Sequence, residues 1–161
     1  MKRHQSLVLL SRQHHDALVL AQGLILGRSK AARSNWPTDH RLQVDQIHDF
    51  FQETFLAHFN AEEKYLFPWV VERMPGRVAL IEELRQDHDD LRSLVRELSA
   101  GCLNELGARL PSFGRLMERH IRKEERVLFQ AIQSDLEAVE LDEIGANIRA
   151  HLTGPRNCLF D

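Results

Sequence analysis

The chain has 161 residues, 43% of them hydrophobic and 28% charged, with a formal net charge of −3. That length suits a single domain with one sizeable core, and the absence of any Lys/Arg block leaves no electrostatic footprint for nucleic acid. No apolar run approaches a membrane span, and the opening MKRHQSLVLLSRQHH returns to charge after four apolar residues, too few for a secretory segment, so no membrane association and a cytoplasmic location are expected.

Helical periodicity dominates, with no alternating β-branched run that reads as a strand. The first helix spans about 5–27 and ends near Gly27, before the polar stretch RSKAARSNWPTD. Thr38 is the expected cap of a second helix reaching Leu66. Pro68 should kink or restart the chain there, with WVVERM as a further turn or two. Pro75-Gly76 breaks the pattern, a third helix covers about 77–100, and the pattern loosens from Gly101 to Gly107. A fourth runs from about Leu110 to Ser134 with Pro111 in its first turn. A shorter helix at 135–151 and the tail GPRNCLFD complete the chain. The expected fold is all-α: an antiparallel up-and-down four-helix bundle with a short C-terminal extra helix, in one domain over 1–161. Cys102 and Cys158 lack CxxC spacing, which excludes a zinc ribbon, and both read as free thiols.

The chain repeats itself. Arg12-Gln13-His14-His15-Asp16-Ala17-Leu18 matches Arg85-Gln86-Asp87-His88-Asp89-Asp90-Leu91, and HFNAEEKYLF from His58 matches HIRKEERVLF from His120. Both members of the second pair read H-x3-E-E-x2-L-F. With nine histidines and fourteen glutamates, roughly 0.8 H-x3-E pairs arise by chance, so the weight lies in the shared flanks and their order.

Position on the helix adds independent evidence. Ile47, Phe51, Phe55, His58, Glu62 and Leu66 form one stripe, and Phe113, Met117, His120, Glu124 and Leu128 another. Each His–Glu pair therefore lies in the apolar seam, about 6 Å apart along the axis. A buried carboxylate without a partner costs several kcal/mol, so this placement demands compensation. Glu63 and Glu125 turn about 100° away, as surface acids or as supports for the seam.

The seam gathers His15, His58 and Glu62 from one half, and His88, His120 and Glu124 from the other. Four imidazoles and two carboxylates form a ligand set for two cations, with the glutamates shared; Fe, Zn, Ni or Cu suit such donors. In the first helix the choice stays open between His14, nearer the centre of the apolar face, and His15, which the repeat favours by alignment with His88. Asp16 and Asp89 are the expected carboxylates orienting the imidazoles.

The motifs H-D-x-L, H-x3-E-E-x2-L-F-P, H-D-x-L and H-x3-E-E-x2-L-F, in that order, resemble the hemerythrin-like HHE cation-binding family over nearly the whole chain. The resemblance implies a four-helix bundle around a non-haem di-iron centre that binds dioxygen or responds to oxygen, nitric oxide or iron supply. By motif match its ligands are His15, His58, Glu62, His88, His120 and Glu124. The oxygen-carrying members have a further histidine where this chain has Arg92, and an aspartate where it has Glu124, which argues against reversible oxygen transport. Two other readings stand beside this one: a di-metal oxidoreductase acting on a small oxidant, and a partner-binding bundle with structural metal.

The remaining candidates have ordinary readings. His4, His40, His48 and His151 are surface or partly exposed histidines; Trp36, Trp69 and Tyr65 serve packing. Phe50, Phe51, Phe55 and Phe59 form core.

Overall fold

The computed structural model describes residues 2–27 and 36–154, and every regular element among them is helical. Cys158, most of the C-terminal tail and most of the polar connection after Gly27 lie outside the described residues. Helix α1 is Val8–Leu26, entered through a 3-10 turn at Gln5–Leu7. It stops at Gly27, whose φ of +63° is the left-handed conformation that glycine adopts without a Cβ penalty.

Helix α2 occupies residues 40–73. Its cap is Asp39 rather than Thr38: the carboxylate accepts the Arg41 N–H at 2.7 Å. Three α-helical stretches, His40–Phe50, Leu56–Ala61 and Phe67–Arg73, are joined by π turns at Phe51–Phe55 and Glu62–Leu66. Pro68 consequently causes no break, because the wider turn before it relieves the crowding a proline ring imposes on the preceding helical turn.

Helix α3 is Val78–Ala100, after a 3-10 turn at Pro75–Arg77. Helix α4 covers residues 103–135, as Leu103–Lys123, a π turn Glu124–Leu128, and Phe129–Asp135. It thus begins well before Leu110, with Pro111 inside rather than in its first turn. Burial of Leu106 and Leu110 against the core offsets the hydrogen bond that Pro111 cannot donate. Helix α5, Ala138–Thr153, starts with a capping box in which Glu137 and Glu140 each bond the other's backbone N–H.

The π turns at Glu62–Leu66 and Glu124–Leu128 occupy equivalent places in α2 and α4. No proline follows the second, so the shared E-E-x2-L-F sequence, not Pro68, accounts for both. The extra residue in each turn lets Leu66 and Phe67, and likewise Leu128 and Phe129, all reach the interior.

These helices form an all-α bundle in which α1 packs along α4, α3 packs on α2 and α4, and α5 crosses the entry to α1 and the middle of α2. Gly114 permits the close approach of α1 to α4, since a Cβ there would lie 2.8 Å from the Ala21 carbonyl oxygen. Gly145 does the same for α5, where a Cβ would fall 2.4 Å from the Ser6 side chain.

The core consists of two apolar clusters. One holds Leu24, Ile47, Phe51, Phe55, Leu98 and Phe113 among others. The second holds Leu7, Phe67, Ile81, Phe129, Ile132 and the inner face of α5, Leu141, Ile144 and Ile148. Within the same helices, the residues between the two clusters are the buried polar ones: His14, His58, Glu62, His88, His120 and Glu124.

Candidate metal centre

Each helix of the bundle delivers its polar side chains by the same register that buries its apolar ones. Leu7, Leu10, His14, Ala17, Ala21 and Leu24 are buried along α1; Ile81, Leu84, His88, Leu91, Val95 and Leu98 repeat that spacing along α3. Phe55, His58, Glu62 and Leu66 of α2 correspond in the same way to Met117, His120, Glu124 and Leu128 of α4. The seam position of α1 is therefore His14. His15, the expected first-helix ligand, is rotated about 100° further on and is exposed. The repeat alignment through Arg12-Gln13 and Arg85-Gln86 was off by one residue. The apolar face, with His14 nearer its centre, is the signal that places the residue correctly.

The structure brings His58, Glu62, His88, His120 and Glu124 together with His14, in two overlapping quartets. His14, His58, Glu62 and Glu124 form one, and Glu62, His88, His120 and Glu124 the other; within each, one donor atom per residue lies within 4.8 Å of every other. Glu62 presents Oε1 to His58 Nε2 at 3.2 Å and Oε2 to His88 Nε2 at 3.4 Å. Glu124 Oε2 lies 3.0 Å from His14 Nε2 and 3.4 Å from His120 Nε2. Both carboxylates thus face imidazoles from both halves of the chain.

The outer ring nitrogens are held from behind. His14 Nδ1 donates to Glu125 Oε1 at 2.8 Å, and His88 Nδ1 donates to Glu63 Oε1 at 2.7 Å. His58 Nδ1 donates to the amide oxygen of Gln13 at 2.8 Å. His120 Nδ1 faces Asp87 Oδ2 at 3.6 Å, an ionic contact beyond hydrogen-bond range. An oxygen acceptor at Nδ1 fixes a proton there and turns Nε2 inward, and the inner nitrogens of His14 and His58 meet at 2.9 Å. Aromatic rings complete the setting: Phe59 stacks on His88 at 3.7 Å between centroids, Phe55 on His58 at 5.0 Å and Phe129 on His14 at 5.5 Å.

The carboxylates behind the imidazoles are themselves anchored. Arg92 pairs with Glu63 at 2.9 Å, and Arg3 with Glu125, which also accepts the Ser11 hydroxyl at 2.6 Å. Asp87 receives Arg119 at 3.0 Å and Lys123 at 3.2 Å. Asp16 and Asp89, the expected orienting acids, do not take this role: Asp16 is exposed, and Asp89 is exposed and paired with Arg92. The true partners had a legible signature, since Gln13 and Asp87 immediately precede the seam histidines and Glu63 and Glu125 are the second acids of each E-E.

Electrostatics within the layer follow from burial and pairing. Burial opposes the charged form of His14, but the pull of the Glu124 and Glu125 carboxylates outweighs it and pushes the imidazole up to about 10. His88 is raised to about 9, the pull of Glu62 and Glu63 exceeding the cost of burial. For His58 burial prevails over Glu62 and lowers the value. Burial alone would raise Glu62, yet His58 and His88 hold it well below the ordinary range. Glu63 and Glu125 are each lowered to about 2 against their partial burial, chiefly by bonds to His88 and His14 respectively.

Protein groups alone leave much of this layer unsatisfied. Both oxygens of Glu62 and of Glu124, His88 Nε2 and both ring nitrogens of His120 are buried without a hydrogen-bond partner. Outside the layer, among the described side chains, only the Trp36 and Trp69 indole nitrogens share that condition. Orphaned lone pairs on carboxylates and imidazoles, converging within ligand distance of one another, fit a divalent or trivalent cation.

The remaining candidates occupy ordinary places. His4 caps the first 3-10 turn, His48 is half exposed, Tyr65 packs edge-on against His151, and Trp69 is buried under Arg73. Cys102 is an exposed free thiol. No helix among the described residues is long and apolar enough to cross a membrane.

The bundle and its buried His/Glu layer define a helical cation-binding protein. The family model of the hemerythrin HHE cation-binding domain matches residues 6–132, so the chain belongs to that family. Searches of curated proteins and of solved structures returned no match.

Proposed function

We propose that the layer holds two iron ions, with His14, His58, His88 and His120 as terminal ligands and Glu62 and Glu124 shared between them. The observation that carries this reading is the pair of buried quartets with both glutamates in common, all four carboxylate oxygens lacking a hydrogen-bond partner from the protein. Two cations would neutralise the carboxylate charge that burial makes costly. Bound iron supplies a redox-active site for a diatomic ligand such as dioxygen or nitric oxide. The chain's own part is to aim four Nε2 atoms inward, hold the Nδ1 protons of His14, His58 and His88 with oxygen acceptors, and exclude bulk water with apolar side chains on either side of the layer.

Binding or sensing of such a ligand is favoured over oxygen carriage. Arg92 stands where the oxygen carriers have a further histidine, and its guanidinium engages Glu63 instead of entering the layer. Coordination positions are then left to exogenous ligands. The same feature motivates a second reading, a di-metal oxidoreductase acting on a small oxidant. Repeated turnover with an electron donor would favour it, and binding that stops at one ligand per site would count against it.

The test of the main reading is metal analysis together with the absorption spectrum of protein purified in air. About two irons per chain and near-ultraviolet absorption from an oxo-bridged ferric pair are expected. Glu62→Ala, which removes a carboxylate common to both quartets, should lose both ions. Full metal content in that variant would defeat the proposal.

A further inference from the structure

The two halves of the layer match each other closely except at one place. In the half formed by α3 and α4, both imidazoles face carboxylates: His88 donates to Glu63 at 2.7 Å, and His120 Nδ1 stands 3.6 Å from Asp87, an ionic contact without a hydrogen bond. In the half formed by α1 and α2, His14 has Glu125 but His58 has the neutral amide of Gln13. Gln13 and Asp87 occupy equivalent positions, each directly before a seam histidine on equivalent helices. Glu125 is also drawn on by Arg3 and Ser11, and Glu63 likewise by Arg92, so these two acids do not distinguish the halves.

A carboxylate behind an imidazole makes its inner nitrogen a better donor to a cation than an amide does. Arg119 pairs with Asp87 Oδ1 and Lys123 with Oδ2, the oxygen that faces the His120 ring, so both neutralise part of the Asp87 charge. Glu83, which shares Lys123, offsets part of that positive charge.

We infer that the two metal positions are unequal, the His88/His120 position binding its ion more tightly and filling first, with Asp87 as the positioning residue that creates the difference. This inference rests on the two-ion reading above. Its test is a titration of the metal-free chain with cobaltous ion under argon, followed by calorimetry and visible absorption. Two binding steps are expected. Asp87→Asn should weaken the tighter step about tenfold and leave the weaker one in place. Gln13→Glu should strengthen the weaker step by about the same factor, a gain that a purely structural role for these residues would not produce. Loss of cobalt binding in the wild-type chain would overturn the two-ion reading and this inference with it. Two normal steps whose tighter constant is unmoved by Asp87→Asn, or a weaker step that fails to respond to Gln13→Glu, would overturn the inference alone.

Discussion

His14 Nε2 stands 3.0 Å from a carboxylate oxygen of Glu124, although α1 and the π turn of α4 carry them from opposite ends of the chain. That contact gives His14, rather than its neighbour, a place in the layer. His14→Ala should therefore remove at least one metal ion per chain, while His15→Ala, at an exposed position, should keep the wild-type content. Metal analysis of the two purified variants checks this directly, and the reverse result would return His15 to the site.

That one-residue displacement shows how the fold and the layer differ in legibility. The α2 and α4 stripes are readable because large residues mark the seam on either side of each His–Glu pair, Phe51, Phe55 and Leu66 on α2 and Phe113, Met117 and Leu128 on α4. On α1 the seam passes through Ala17 and Ala21, which carry little hydrophobic signal, and two adjacent histidines compete for it. Local sequence likewise favoured Pro111 as a helix start. What overrode that preference was burial of Leu106 and Leu110 by other helices, a tertiary effect absent from a local pattern. The partners of the imidazoles were harder still. Which acid lies behind which ring depends on how two helices are rotated against each other, so Glu125 and Glu63 outcompete the nearer-in-sequence Asp16 and Asp89.

Close packing of α1 on α4 gives a second expectation. At Gly114 a Cβ would meet the Ala21 carbonyl oxygen at 2.8 Å and Leu24 Cβ at 3.2 Å, and backbone cannot swing aside as a long side chain can. Gly114→Val should destabilise the protein by about 1–3 kcal/mol, the usual cost of forcing extra atoms into a packed interface. Urea denaturation of metal-free protein measures it without interference from ligand binding. An unchanged midpoint would mean that α1 can move outward at little cost.

Metal removal should be felt across the whole bundle, since ligands from all four helices meet only in the folded chain. Two ions, each supplied at a hundred times its dissociation constant, add about 5 kcal/mol to stability. For a chain of this length that corresponds to a rise of about 10–20 °C in melting temperature. Calorimetric scans with zinc and with chelator provide the comparison, and coincident scans would contradict a layer that binds metal tightly.

Metal-free stability and the increment that metal adds to it should depend on pH with opposite signs. In the metal-free chain, His14 and His88 are raised from about 6.5 to about 10 and about 9, so the stability they contribute is complete below 6.5. It is lost as pH climbs through 9 and 10, where folded protein must give up protons that unfolded protein has already released. Glu63 and Glu125, lowered from 4.5 to about 2, contribute stability that is complete above 4.5 and lost as pH falls towards 2. His58, lowered by burial, costs stability as pH falls below 6.5, so metal-free protein should be most stable towards the upper end of the interval between about 4.5 and 6.5. A cation coordinated by Nε2 has to displace the protons on His14 and His88, so its affinity should increase as pH rises from 6.5 towards 9. Thermal midpoints measured in chelator should accordingly fall over that interval, while the increment added by zinc grows. Parallel curves in the two conditions would show that neither imidazole exchanges a proton for the ion.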